Sequence, residues 1–180
     1  MMNDDIYYKE SIQEEWHQDL SQDDSHRSGI RFARRVRLAR IVGLGAMFFP
    51  VAGVLVTQFH PGGWWLLLVG WAFVWPHLAW QLSCRSPEPH SSEIFNLKID
   101  AIIAGVWIGL IGVNALPTAA LIMMIGMNMM GSGGLRLFII GLLIVLLSSL
   151  VTLQLTGSVM TFSPEPLEWW LTLPGIVIYT

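Results

Sequence analysis

Few side chains in this sequence could carry chemistry, and they are widely spaced. His60 and His77 would lie about 25 Å apart along a helix axis at 1.5 Å per residue, too far to share one haem. His77 follows Pro76, where a histidine can hydrogen-bond the carbonyl that the proline leaves free. Asp100 could relay a proton inside a membrane or serve as a first-turn acid favoured by the helix dipole. Lys98, two residues earlier, favours an interfacial place for this acid.

Metal-binding and catalytic patterns are missing from the sequence. Five methionines crowd residues 123–130, and thioethers can bind copper(I). Their side chains would point in several directions on a helix, and no cysteine or histidine joins them, so we expect flexible apolar packing. The single cysteine, Cys84, excludes a disulfide framework. There is no P-loop and no Ser/His/Asp grouping. We therefore predict that this chain is not an enzyme and has no catalytic, cofactor-binding or metal-binding residue.

The elements that must position these residues are apolar. Hydrophobic residues make up 53% of the 180 and charged residues 13%, about half the usual quarter. Residues 1–40 hold 15 of the 23 charged side chains, which leaves eight for residues 41–180. A soluble domain cannot solvate its surface with so few charges. The sequence therefore predicts an all-α, polytopic transmembrane helical bundle and excludes an ordinary cytosolic enzyme and a nucleic-acid-binding domain.

Six apolar segments follow a polar beginning. Forty polar residues precede the first segment, so we expect no cleaved signal peptide. The apolar run 99–130 would measure about 48 Å as one helix, so we divide it at the Asn-Ala-Leu-Pro motif 114–117. The predicted membrane segments are residues 41–58, 64–82, 99–115, 118–130, 137–155 and 167–180, of which the last is incomplete.

The basic residues predict the orientation of these segments. With the N-terminus in the cytoplasm, all ten lysines and arginines fall on the cytoplasmic side, in the N-terminal part and in the loops 83–98 and 131–136. The loops 59–63 and 156–166 then lie outside and contain no lysine or arginine. The sequence therefore predicts a multi-pass protein whose N-terminus and sixth-segment end are cytoplasmic.

Residues 1–40 divide into an acidic and a basic part. Residues 1–25 are acidic without periodicity, and we expect a disordered cytoplasmic tail. Residues 26–40 contain six arginines and no acid, and a helix would place Phe32 and Val36 roughly opposite most of these arginines. We expect a basic amphipathic helix that lies on the anionic leaflet and fixes the topology, with binding of a regulator or a specific lipid as the alternative. The arginines are Arg27, Arg31, Arg34, Arg35, Arg37 and Arg40.

Two further patterns concern packing. Trp71 and Trp75 share one helical stripe deep in the second segment and suggest a packed or ligand-lined face. Gly105 and Gly109 permit close helix approach, within a protomer or between two. We predict a homodimer with this glycine face near the seam, and the tryptophan stripe is the alternative seam. The candidate signalling or packing residues are therefore Trp71, Trp75, Pro76, His77, Asp100, Gly105 and Gly109.

Several runs of residues resemble a known family. They are HRSGIRFARRVRLAR at 26–40, LLLVGWAFVWPHLAWQ at 66–81, NLKIDA at 96–101, GVNALP at 112–117 and PLEWWLTLP at 166–174. In order and spacing they look like the second type of membrane-associated sensor domain (MASE family). This is the N-terminal part of bacterial diguanylate cyclases and of some adenylate cyclases. The likeness is greatest to enterobacterial cyclases that control cellulose and biofilm formation.

The resemblance implies an inner-membrane sensor domain over residues 26–180, whose sixth helix leads into a cytoplasmic cyclase domain. The sequence contains no GGDEF-type domain, so the resemblance assigns it no cyclase activity, and the family offers no established ligand whose binding residues could be carried over. Residues 167–180 would extend about 21 Å, less than the ~30 Å hydrocarbon core. We therefore expect this chain to be a truncated piece of a longer cyclase.

Three functions stay open at this point. The first is a sensory and regulatory module that sets the dimer geometry of a cyclase making cyclic di-GMP. The second is a small transporter or channel subunit, which the glycines and prolines favour and the lack of mid-membrane acids disfavours. The third is a passive membrane anchor. The expected partners are the lipid bilayer, a second copy of the chain and the cyclase domain of the parent protein, with no nucleic acid.

Overall fold

The computed structural model describes residues 4–58, 62–157, 170–172 and 177, and gives their side chains from residue 25 onward. Within these ranges it contains helices and no strand, which confirms the predicted all-α class. The elements are α1 (Asp4–Thr57), α2 (Gly62–Val69), a π-helical turn (Gly70–Val74), α3 (Trp75–Arg85), α4 (Pro89–Leu110) and α5 (Ala115–Thr156). Most of the predicted sixth segment and most of each predicted external loop lie outside the described residues.

Three stretches are long and apolar enough to cross a membrane: Ser25–Thr57, Gly62–Arg85 and Ala115–Thr156. Large apolar side chains are exposed along them, such as Leu66 at 78% and Leu155 at 82%. Such a surface suits a bundle whose surroundings are hydrocarbon rather than water.

α1 begins at Asp4, inside the stretch that the sequence predicts to be disordered. No glycine or proline lies between Asp4 and Ser28, so no strong helix breaker stops the helix from extending backward from its apolar part. Helical backbone thus stands where disorder is expected, and residues 26–40 continue without a break into the first apolar segment within this long helix. The domain boundary near residue 25 stays a prediction.

The second predicted segment is interrupted by the π-helical turn Gly70–Val74. The Trp75 N–H donates to the carbonyl of Gly70, five residues earlier. Pro76 comes next, has no N–H, and in a regular α-helix would crowd the carbonyl of Ala72. A wider turn relieves this crowding, so the irregularity is located where the proline requires it.

α4 starts earlier than its hydropathy suggests. It begins at Pro89, a residue that suits the first position of a helix, and not at residue 99. The predicted loop 83–98 is therefore wrong, because only residues 86–88 lie outside helix there. The polar side chains of residues 90–98 mask this start in a hydropathy pattern, although they belong to a regular helix.

α4 and α5 are joined by a tight turn close to the Asn-Ala-Leu-Pro motif. Gly112 and Val113 have φ values of 65° and 53°, and α5 begins at Ala115. The break predicted at residues 114–117 is thus confirmed to within a few residues.

α5 reverses direction at Gly134, whose φ of 66° and ψ of −164° lie outside the helical region and favour glycine. A β-carbon added at Gly126 would lie 2.9 Å from Cε2 of Phe138, and one added at Gly141 would contact Met129. In a straight helix Gly126 and Phe138 would be about 18 Å apart along the axis. These contacts therefore require two halves that run antiparallel to each other.

α4 packs closely against the second half of α5. A β-carbon at Gly105 would lie 2.5 Å from the carbonyl oxygen of Val145, and one at Gly109 would lie 2.6 Å from Cβ of Thr152. The predicted dimer seam through these glycines is wrong, because α5 of the same chain occupies this face. Small residues admit any neighbouring helix, and here they serve contact within one protomer.

Candidate functional site: a buried ionic cluster beside an aromatic groove

α1 and α4 meet around one buried arginine. Arg40 is 1% exposed, with Nη1 2.6 Å from Oε1 of Glu93 and Nε donating to Oδ2 of Asp100 at 2.7 Å. Glu93 and Asp100 are equally buried, so one guanidinium faces two carboxylates. Moving an ion out of water costs several kcal/mol, so these side chains must offset that cost through each other and through further hydrogen bonds.

Side chains of α3 and α4 supply those hydrogen bonds. Nε1 of Trp75 donates to Oδ1 of Asp100 at 2.5 Å, and Oγ of Ser83 donates to Oε2 of Glu93 at 2.6 Å. The amide of Asn96 donates to Oγ of Ser83 at 3.0 Å. We call this set the ionic cluster: Arg40, Trp75, Ser83, Glu93, Asn96 and Asp100.

Helical periodicity explains how these residues come together. Glu93, Asn96 and Asp100 are spaced three and four residues apart and therefore share one face of α4. Arg40 lies on the buried face of α1, four residues after Val36 and four before Leu44, both of which are buried. Each helix thus places its polar side chains within an otherwise apolar stripe.

The six arginines of residues 26–40 do not act as one set. Arg40 is buried, and Arg37 turns toward α3, where its Nη2 lies 3.3 Å from Nδ1 of His77 and its guanidinium lies 5.4 Å from the ring centroid of Trp80. His77 therefore contacts an arginine and not a freed backbone carbonyl, and that expectation is wrong. The remaining four are exposed: Arg27, Arg31, Arg34 and Arg35.

The position of Asp100 differs from the two positions that the sequence suggests for it, the first turn of a helix and the membrane interface. Because α4 begins at Pro89, this acid lies in mid-helix and not in the first turn. It is 2% exposed, so it is not a solvated interfacial acid either. Its partner Glu93 is missed by the sequence analysis, since residue 93 falls in the stretch interpreted as a loop. The spacing to Asp100 on one helical face is the signal that could have found it.

An apolar groove of about 500 Å³ lies between the α2–α3 segment and α4. We call it the tryptophan groove, after Trp64, Trp71, Trp75 and Trp107 in its walls. The rings of Trp71 and Trp107 are 6.1 Å apart between centroids. The predicted stripe of Trp71 and Trp75 thus lines a groove, whereas Trp107, isolated in the sequence of α4, is missed.

The groove opens sideways from the bundle. Leu66 and Leu67 belong to its lining and are 78% and 60% exposed. One residue is shared with the ionic cluster: Trp75 lines the groove and donates its N–H to Asp100. A displacement of this indole in the groove would therefore also change its hydrogen bond to the buried Asp100.

Comparison with known proteins finds a family model that matches the part of the chain carrying these features. Residues 35–123, which include the ionic cluster and the tryptophan groove, match the family model of the MASE2 domain. Two curated proteins, one from Escherichia coli strain K12 and one from Escherichia coli O6:H1 strain CFT073, are each 54% identical to this chain over 180 residues. Each is named Probable diguanylate cyclase DgcC. No solved structure matches.

The aligned part covers 99% of this chain and 48% of each relative. The chain thus spans about half the length of the curated relatives it matches, namely their N-terminal part. The resemblance noted in the sequence is confirmed by these matches.

Proposed function

We propose that the chain is a membrane-embedded sensory and regulatory module of a cyclic-di-GMP signalling protein, from the premise that residues 35–123 match the family model of the MASE2 domain. The observation that carries the proposal is the 54% identity to the N-terminal part of probable diguanylate cyclases. The module makes no cyclic di-GMP itself. It controls a cyclase domain that is joined to it in the full-length protein.

The proposed topology has six membrane segments in the bacterial inner membrane, with a cytoplasmic N-terminus. The reversal at Gly134 supports it, because the two halves of α5 measure about 28 Å and 33 Å at 1.5 Å per residue, each enough for a ~30 Å core. Four exposed arginines of α1 would rest on the anionic cytoplasmic leaflet. Leu171, in the proposed sixth segment, reaches α1 beside Gly53.

The proposed mechanism is a change in bundle packing that passes through the sixth segment and sets the geometry of a cyclase dimer. α1 suits this role, since it contacts every other helix of the described bundle. The ionic cluster fixes how α1 sits against α4, and a shift of Trp75 would reach Arg40 through Asp100. The homodimer seam lies away from Gly105 and Gly109, whose face is already filled.

The transporter alternative is less well supported by this site. Oδ1 of Asp100 accepts a hydrogen bond from Trp75 and Oδ2 accepts one from Arg40. Both oxygens of the carboxylate are therefore occupied by contacts between helices. An acid that shuttles ions needs access to a polar path.

A domain exchange tests the proposal. The matching N-terminal half of the Escherichia coli relative is replaced by this chain in one fusion and by an unrelated six-helix membrane anchor in another. The cellular concentration of cyclic di-GMP is measured at intervals during growth, in cells that contain equal amounts of the two fusion proteins. We expect the cyclic di-GMP concentration in cells with the first fusion to follow the time course seen with the unaltered relative. In cells with the anchor fusion, the concentration should no longer follow that time course. Identical time courses for both fusions would show a passive anchor.

A further inference from the structure

A cleft of about 280 Å³ lies between α1 and the first half of α5. Arg35, Asn128 and Ser132 supply its polar lining, and Phe32 and Met127 belong to its apolar lining. No hydrogen bond or ion pair joins the side chains of Arg35, Asn128 and Ser132 to other residues that the structure describes. The cleft therefore offers a cation and two hydrogen-bonding groups beside an apolar wall.

The cleft lies where the outer surface of the bundle changes from basic to apolar. On α1, four arginines are exposed up to Arg35, whereas the next large exposed side chains, Leu38 and Val42, are apolar and 62% and 52% exposed. On α5, Met127 is 57% exposed, and the next charged residue, Arg136, is exposed beyond the reversal of the helix. Such a boundary on two neighbouring helices indicates the depth of the lipid headgroups.

The charge of the cleft favours an anion. Arg31 lies one turn before Arg35 on the same face of α1, and none of the described lining residues is acidic. The acidic stretch of the chain does not fold back onto the cleft, because residues 4–24 continue the same unbroken helix away from it. A soluble anion would leave the apolar wall uncovered, whereas a phospholipid supplies both an anionic headgroup and acyl chains.

We propose that this cleft binds one anionic phospholipid of the cytoplasmic leaflet. The phosphodiester accepts hydrogen bonds from Arg35 and Ser132. Asn128, about one helical turn closer to the membrane core, donates to an ester carbonyl. The acyl chains cover the apolar side chains that follow on α1 and α5. The choice of leaflet rests on the proposed topology, and the binding itself does not rest on the sensory function.

Two pairs of variants separate a defined site from general attraction to an anionic surface. Arg34 is exposed next to Arg35 and is not part of the cleft lining, so Arg34→Gln removes the same charge outside the site. Gly131 lines the cleft, and a β-carbon added there would have no neighbouring atom within 4 Å. Gly131→Leu therefore fills the cleft without removing charge. Gly45 on α1 is equally free of neighbours outside the cleft, so Gly45→Leu is its control.

Lipid binding is measured by native mass spectrometry on the full chain in detergent, in separate titrations with phosphatidylglycerol and phosphatidylcholine of identical acyl chains. We expect the unaltered chain, Arg34→Gln and Gly45→Leu to retain one phosphatidylglycerol in preference to phosphatidylcholine. Arg35→Gln should bind phosphatidylglycerol about fivefold more weakly, the effect of one basic residue beside an anionic lipid surface. Gly131→Leu should lose the preference.

Equal affinity of the unaltered chain for the two lipids would overturn the proposal. Equal weakening by Arg34→Gln and Arg35→Gln would also overturn it, since only a diffuse attraction of the basic helix would then be present. Equal binding by Gly131→Leu and Gly45→Leu would show that the lipid does not occupy this cleft. The domain exchange tests the sensory function separately. A regulated fusion without lipid preference overturns this inference alone, whereas lipid preference with an unregulated fusion overturns the sensory function alone.

Discussion

α4 has two contrasting interfaces at the same depth of the bundle. Toward α5 it presents Gly105 and Gly109, and the partner helix comes so close that no β-carbon fits. Toward α2 and α3 it presents Trp107 among other indoles, and a groove of about 500 Å³ stays open. Near the N-terminal half of α4, the ionic cluster ties this second side to α1 and α3.

The contrast shows that small side chains stabilise one side of α4 and charged side chains stabilise the other. Small residues let backbones approach until van der Waals contact closes the interface. Large indoles keep the helices apart, so polar groups have to hold the open side together. Removing buried charge should therefore lower the stability of the protein more than disturbing the close packing does.

Arg40→Met should have the largest effect. It leaves Glu93 and Asp100 buried without a cation, and breaking a buried pair in this way costs about 3–5 kcal/mol. The unfolding temperature of the purified protein in detergent measures it. Arg35→Met, an exposed position on the same helix, is the control and should unfold like the unaltered chain. Equal unfolding temperatures for the two variants would mean that the cluster does not hold the open side.

Trp75→Phe should come next. It keeps an aromatic ring in the groove but removes the hydrogen bond to Asp100, and a bond to a charged group contributes about 1.5–3 kcal/mol. Trp80→Phe is the matched control, because Trp80 lies on the same helix outside the groove and contacts Arg37 through its ring. The same thermal measurement compares them, and a larger loss in Trp80→Phe would contradict the link between groove and cluster.

Gly105→Ala tests the closed side. The added β-carbon would press on the carbonyl of Val145, and overpacking of this kind costs about 1–3 kcal/mol. Gly45→Ala, with open space around it, should be nearly neutral. Thermal unfolding and native mass spectrometry are recorded together. Loss of a dimer without a fall in the unfolding temperature would show that the dimer seam includes the face of Gly105.

Glu93→Gln should have the smallest effect of the four. It removes the surplus negative charge, leaves Arg40 and Asp100 as a one-to-one pair, and retains polar atoms for Ser83. We expect a loss below about 1.5 kcal/mol, the net contribution of an ordinary hydrogen bond. A loss as large as that of Arg40→Met, measured by the same unfolding assay, would show that both carboxylates are ionised and needed.

The sequence predicts the helical class and most helix ends, because apolar length and breakers are local properties. The turn before Ala115 and the separation of residues 118–130 from 137–155 follow from an Asn-Ala-Leu-Pro motif and a glycine-rich loop. The start of α4 could not be found in this way, since residues 90–93 are all polar, including Glu93, which faces Arg40.

The site is predicted only in part for a related reason. Trp71 and Trp75 are recognisable as a stripe within one segment, whereas their partner Trp107 comes from another helix. Arg40 looks like one of six equivalent arginines until its place in the buried stripe of α1 is known. Pairings between helices distant in sequence depend on tertiary packing, which periodicity alone does not specify.

The distance along the chain between Arg40 and its acids has a consequence for biosynthesis. Sixty residues separate Arg40 from Asp100, which is about 3–12 s of translation at about 5–20 residues per second. During that interval the first helix carries an unneutralised guanidinium, which is costly at the bilayer centre and is drawn to the headgroups. In the proposed topology Arg40 lies at the cytoplasmic end of the first membrane segment, where headgroups can solvate its guanidinium until α4 has emerged from the ribosome and delivered the two carboxylates.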